Sequence, residues 1–267
     1  SCGSYFAFAV YIYCDRAMDG GVVGLCIILG LESFRNGTGA RLTQFEYAQQ
    51  RNPSFVLLAL GFHEDAWVAL ERPGGLAEIG PFDVATFEPE KWKPDLPHSG
   101  IANLTAADGY WAAKVLSAFT VDHIRAMVEM GRYQNPDAAE YLVNVLRGRQ
   151  EKIVRYWFNE VPPLDFFQVH GNRVVFSDLG VSRGFIPGDG TMYRFRLAAT
   201  NSLRETRHQG QWIESATSEI ILDDAPENNT DHPFLALECQ VNRGQKWSSS
   251  TTAYLAVASG KIVAVDR

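Results

Sequence analysis

At 267 residues the chain is long enough for one large core or two smaller ones, and at the usual ~100–150 residues per domain two are expected. Apolar residues at 46% and charged residues at 21% exclude a disordered composition, and the net charge of −7 argues against a nucleic-acid backbone as main partner, because that binding rests on Lys and Arg neutralising phosphates. No apolar run approaches the ~20 residues that span a bilayer, so the chain reads as soluble.

The chain opens on "YFAFAVYIYC" with neither a methionine nor a basic stretch ahead of it, which reads as a processed or truncated start. Residues 1–31 hold two apolar runs parted by "DRAMDGG", a strand, turn, strand pattern. Cys2, Cys14 and Cys26 are evenly spaced and Cys239 stands alone. With no C-x-x-C pair a structural zinc site is disfavoured, and two readings stay open: buried thiols, or one disulfide between Cys2 and Cys14 or Cys26. "DGGVVG" (19–24) lacks the full phosphate-cradle pattern and reads as a tight turn. "HEDAW" (63–67) puts Trp67 where a zincin needs its second histidine.

"PSFVLLALGFHEDAWVALE" (53–71) suits a helix or a buried strand equally. From 72 to 104 five prolines alternate with Phe82, Phe87 and Trp92, the pattern of an ordered connection pinned by aromatic anchors. His98 beside Ser99 in this stretch is adjacency without triad geometry. Three helices follow over about 105–160. Thr105 with Asp108 caps the first (106–118), Thr120 caps the second and Gly131 closes it, and Asn135-Pro136 starts the third. His123, at the third position after its cap, reads as a capping partner or the flank of a core stripe. Asp122, Arg125 and Glu129 read as a surface ion-pair ladder. In the third helix Ala139, Leu142, Val143, Leu146, Ile153, Val154 and Trp157 form one apolar stripe, and Glu151 is placed to pair with Arg155. Arg147, Arg149, Lys152 and Arg155 are candidates for binding an anion, against the plainer reading of a solvated face. "VPP" (161–163) stops the helix and sets the domain boundary, 1–163 and 164–267.

Beyond it the apolar period becomes two. "MYRFRLAAT" sets Tyr193, Phe195 and Leu197 opposite Arg194 and Arg196, and "LALECQV" sets Leu235, Leu237, Cys239 and Val241 opposite Glu238 and Gln240. The last two strands meet through Ser259-Gly260 as a hairpin. The fold class is therefore α+β: a few N-terminal strands, a three-helix segment, and a C-terminal antiparallel β-sandwich of immunoglobulin or fibronectin type. In the acidic loop "DDAPENNTDH", Asp223, Asp224, Glu227 and Asp231 are candidates for calcium, without EF-hand spacing; a solvated loop is the plainer reading. No cofactor motif is complete. The sequons at Asn36, Asn103 and Asn228 decide nothing.

The stretch "FDVATFEPEKWKPDLP" together with "DGYWAAKVLSAFTVDHIRAMVEMGRYQNPDAAEYLVNVLRGRQEKIVRYWFNEVPPLDFFQV" resembles the C-terminal section of a family of larger, uncharacterised, exported bacterial proteins, over about residues 45–180. The resemblance implies a periplasmic or extracellular location. In that family the upstream part is kinase-like, with an Asp-x-x-x-x-Asn element and an Asp-Phe-Gly-like element; neither occurs here, and "PHSGIANL" replaces the family's Pro-Asn-Pro-Ala-Phe-like turn. The matching residues are packing and capping residues, so they speak to fold more than to chemistry. The expectation is a non-catalytic structural or interaction module with a protein or surface glycan as partner. The rivals are a divergent phosphotransferase-like enzyme, a hydrolase, and carbohydrate binding by the sandwich with Trp212 and Trp247 as stacking platforms.

Overall fold

A computed structural model describes residues 73–76, 79, 82–85, 87–91, 104–223, 225–226, 230–244 and 246–267. The strands expected in 1–31, the segment 53–71, Cys2, Cys14, Cys26, Trp92, His98 and Ser99 lie outside these residues. The chain divides into two compact units, Ser1–Tyr156 and Trp157–Arg267.

In the first unit, Thr105 caps α1 (Ala106–Leu116) through a reciprocal box with Asp108, two bonds of 3.2 and 3.0 Å. The helix ends two residues before the expected 118. Thr120 caps α2 (Val121–Glu129), and His123 completes its box, Nδ1 accepting from the Thr120 N–H at 3.1 Å. This settles His123 as a capping partner. Pro136 opens α3 (Pro136–Glu160), with the Asn135 side chain accepting from the Asp137 N–H at 2.9 Å. Leu142, Val143, Leu146, Ile153 and Val154 of its stripe are buried. Gln150, buried among them, donates from Nε2 to the carbonyls of Leu116 and Phe119, both at 2.8 Å, and so ties α3 to the C-terminal end of α1 and the turn that follows it. Glu151 pairs with Arg155 at 2.7 Å as its spacing predicts. Arg125 differs from the expected ladder on α2, since its carboxylate partner is Glu140 on α3.

The aromatic-rich connection is held down by α3. Phe82 and Phe87 are buried, and the Tyr141 hydroxyl donates to the Phe82 carbonyl at 2.8 Å. Gly148 faces Val84 so closely that a Cβ there would stand 2.6 Å from a Val84 methyl.

The second unit carries β1 (Leu164–His170), β2 (Arg173–Asp178), a short α4 (Leu179–Ser182), β3 (Met192–Thr200), β4 (Thr206–Arg207), β5 (Ile213–Ser215), β6 (Glu219–Ile221), β7 (Phe234–Asn242), β8 (Thr251–Ala256) and β9 (Lys261–Asp266). All pairings are antiparallel. They build a three-stranded sheet, β1-β2-β6, and a six-stranded sheet, β4-β3-β7-β8-β9 with β5 also on β3. One core draws on both sheets, with Leu164, Phe176 and Ile220 from the smaller and Phe195, Leu237 and Leu255 from the larger. Alternation along β3 and β7 is as the sequence reads: Tyr193, Phe195, Leu197, Leu235, Leu237, Cys239 and Val241 are all buried. The β8–β9 hairpin turns through residues 257–260, where Gly260 takes φ +62° and donates its N–H to the Ala256 carbonyl at 2.9 Å.

Candidate functional site

Because the odd residues of β3 face the core, Arg194 and Arg196 stand on the opposite face of the larger sheet. The register sets Arg194 across from Gln240 and Arg196 across from Glu238 in β7, and Arg194 across from Glu214 in β5. The Arg196 Nε donates to Glu238, whose other oxygen accepts from the Ser250 hydroxyl at 2.6 Å. The Arg194 Nε donates to the Gln240 amide oxygen at 2.8 Å, and Gln240 passes its own N–H to Ser250, also at 2.8 Å. With its amide oxygen turned inward, Gln209 accepts from Arg196 at 3.0 Å.

Two tryptophans close this network. Trp212 comes from the segment before β5, and Trp247 from the one after β7, where it forms an isolated bridge with Asn242. The Arg194 guanidinium lies over both rings, 4.5 Å from each centroid, and Arg196 lies 4.5 Å from that of Trp212. The result is a continuous chain of contacts, Trp247, Arg194, Trp212, Arg196, supplied by three separate segments and seated on a rigid sheet.

The charges on this face are unequal. Burial pulls the Glu238 carboxyl upward, but hydrogen bonds from Arg196 and Ser250, with the charges of Arg196 and Arg194, outweigh it and hold the group below the ordinary carboxylate range. Among the described residues no carboxylate oxygen lies within 4.0 Å of Arg194, so its charge is offset less directly than that of Arg196. A depressed carboxyl stabilises the fold above its unfolded value and loses that contribution as pH falls through the folded one. Glu238→Gln is therefore expected to lower the denaturant midpoint near pH 7, with the gap to wild type narrowing as the pH is taken down below the ordinary carboxylate range. A gap of the same size at both ends would contradict the assignment.

A second polar cluster lies inside the same unit. Asp178 is buried and caps α4, accepting from the N–H groups of Gly180 at 3.0 Å and Val181 at 3.3 Å. Its other oxygen accepts from the Tyr193 hydroxyl at 3.1 Å and from Arg243 Nη2 at 2.8 Å. Burial first, then the Asp178 charge and hydrogen bond, push the Tyr193 phenol far up, so it stays a donor. Cys239 is a free, buried thiol that burial likewise pushes up, which keeps it protonated and unreactive.

The four candidate anion-binding residues do not converge. Arg149 is buried and donates from Nε to the Asp83 carbonyl at 2.8 Å, its guanidinium over the rings of Phe82 and Phe87 at 3.9 and 4.7 Å. Lys152 donates to the carbonyls of Val84, Ala85 and Phe87, Arg155 pairs with Glu151, and Arg147 is exposed. Of the metal candidates, Asp223 accepts from Asn172 Nδ2 at 2.8 Å and Asp231 is exposed, while Asp224 and Glu227 lie outside the described residues. Among the described residues no three His, Cys, Asp or Glu side chains gather as a metal site, and no helix is long and apolar enough to cross a membrane.

The sequence separates Arg194 and Arg196 from the core and singles out Trp212 and Trp247, but it does not join them. The readable signal was the complement of Arg-x-Arg at 194 and 196 with Glu-x-Gln at 238 and 240, which antiparallel pairing brings face to face. No protein-family model, no curated protein and no solved structure matches the chain.

Proposed function

We propose that the chain is a non-catalytic interaction module whose recognition surface is the outer face of the six-stranded sheet. The observation that carries this reading is the contact chain of Trp247, Arg194, Trp212 and Arg196, because it holds aromatic and cationic groups in fixed positions on a sheet face turned away from the core. Residues of these types dominate the energetics of recognition surfaces, and fixing them in advance lowers the entropy lost on binding. The buried polar residues support the same reading, since Asp178 is fully engaged in capping α4 and in holding Tyr193 and Arg243.

On this reading the two sheets sharing one core form a β-sandwich of immunoglobulin or fibronectin type. The chain is then the C-terminal section of a larger, exported bacterial protein, in line with the resemblance of residues 45–180. The rival is a phosphotransferase-like enzyme. The two separate in one experiment with two arms. The module predicts a melting midpoint unmoved by ATP with or without magnesium, and saturable quenching of tryptophan fluorescence by at least one of a neutral glucan, a uronate-bearing oligosaccharide and an acidic peptide, weakened in Trp212→Ala. A magnesium-dependent rise of about 5 °C or more with nucleotide, or no quenching by any of the three, overturns it.

A further inference from the structure

We infer that Arg194 receives the carboxylate of a uronic acid within a polysaccharide, with the sugar ring lying against Trp247. This deepens the module reading and rests on it. The guanidinium is held before any ligand arrives: Nε is bonded to Gln240, and the group lies over two indole rings. A free arginine loses rotamer entropy when it is immobilised, and here the sheet face has already fixed it. With Nε engaged, the two terminal amino groups keep the planar donor edge that takes a carboxylate through parallel hydrogen bonds, and among the described residues no carboxylate lies within 4.0 Å of it.

The neighbours select the kind of anion. Exposed Glu214 stands across from Arg194 in β5, and Glu238 stands across from Arg196 in β7. Glu238 is offset by Arg196, but the exposed Glu214 on the same face repels a ligand dense in negative charge, such as a sulfated chain or a polyglutamate, because like charges brought together raise the energy of the complex. The Glu214 carboxylate also accepts hydrogen bonds from hydroxyl groups. A chain of hydroxyl-bearing rings with well-separated carboxylates satisfies both conditions. A carboxylate fixed to a ring also has fewer rotors to immobilise than one at the end of a glutamate side chain. The half-buried indole of Trp247 supplies an apolar surface with a polar edge beside the guanidinium, which suits a sugar ring.

The probe is a hyaluronan octasaccharide, which bears a carboxylate on every second ring, titrated calorimetrically into the full chain. Saturable binding is expected, weakened about tenfold or more by Arg194→Gln and by Arg194→Lys, the second keeping the charge without the planar fork. If Arg194→Gln fails to fold, Arg194→Lys with an unchanged melting midpoint decides. Unaltered affinity in Arg194→Lys, equal binding of neutral cellohexaose or of polyglutamate, or no binding of the octasaccharide overturns the inference. Binding of polyglutamate alone at the tryptophan face sinks the uronate assignment and leaves the module standing, whereas silence from every probe removes both.

Discussion

Replacing Asp178 by alanine is expected to cost about 3–5 kcal/mol of stability, read as a fall in the denaturant midpoint, the range for leaving one member of a buried ion pair without its partner. The side chain of Asp178 is 3% exposed and that of Arg243 is 20% exposed, so water replaces little of what is lost. Four donors lose their acceptor at once: two N–H groups at the start of α4, the Tyr193 hydroxyl and the Arg243 guanidinium. Asp178→Asn retains an acceptor for the helix N–H groups but not the charge facing Arg243, and falls between alanine and wild type. Removing both ions together, Asp178→Leu with Arg243→Met, is expected to recover only the part of the loss that comes from the unpaired Arg243 charge, because the two helix N–H groups and the Tyr193 hydroxyl still lack their acceptor. A single alanine substitution costing under about 1 kcal/mol would mean that Arg243 finds water in place of Asp178.

Arg149→Met is expected to destabilise the first unit by about 3.5–5 kcal/mol, the sum of one charge-assisted hydrogen bond and a desolvated cation–π contact. Methionine keeps apolar volume but gives up the bond to the Asp83 carbonyl and the attraction of two ring faces. Arg149→Lys is not expected to rescue it, since a compact ammonium cannot lie flat over Phe82 and Phe87 while donating sideways to a carbonyl. The readout is the urea midpoint of the full chain, followed by limited proteolysis between residues 82 and 87, where release of the segment from α3 appears as faster cleavage. Stability unchanged in both variants would contradict the anchoring role.

These two sites also mark where sequence reading stops. The helix caps at Thr105, Thr120 and Asn135 were legible because capping is local: donor and acceptor sit within three residues of each other. The face assignment in β3 and β7 was legible because side chains alternate with period two. Arg149 was not, since a run of arginines and lysines on a helix looks the same whether it meets water or the carbonyls of a loop 66 residues earlier. Asp178 in "FSDLG" looks like an ordinary cap, and nothing near it announces Arg243, 65 residues on. The tryptophans of the candidate site were noticed as platforms, yet what covers them comes from a strand that only the register identifies. Non-local pairing is the common reason, for it depends on the fold and not on neighbours in the chain.

Fixation of the guanidinium groups on the outer sheet face, with no ligand present, is what the recognition surface depends on. It is tested most directly by the proton and nitrogen resonances of the arginine Nε–H groups in the unliganded chain. Ring currents from Trp212 and Trp247 are predicted to displace the Arg194 signal well upfield of the exposed arginines, with slow exchange against water, and Trp247→Ala should return it toward the ordinary position. An Arg194 signal at the ordinary position, exchanging as fast as that of exposed Arg147, would contradict the account.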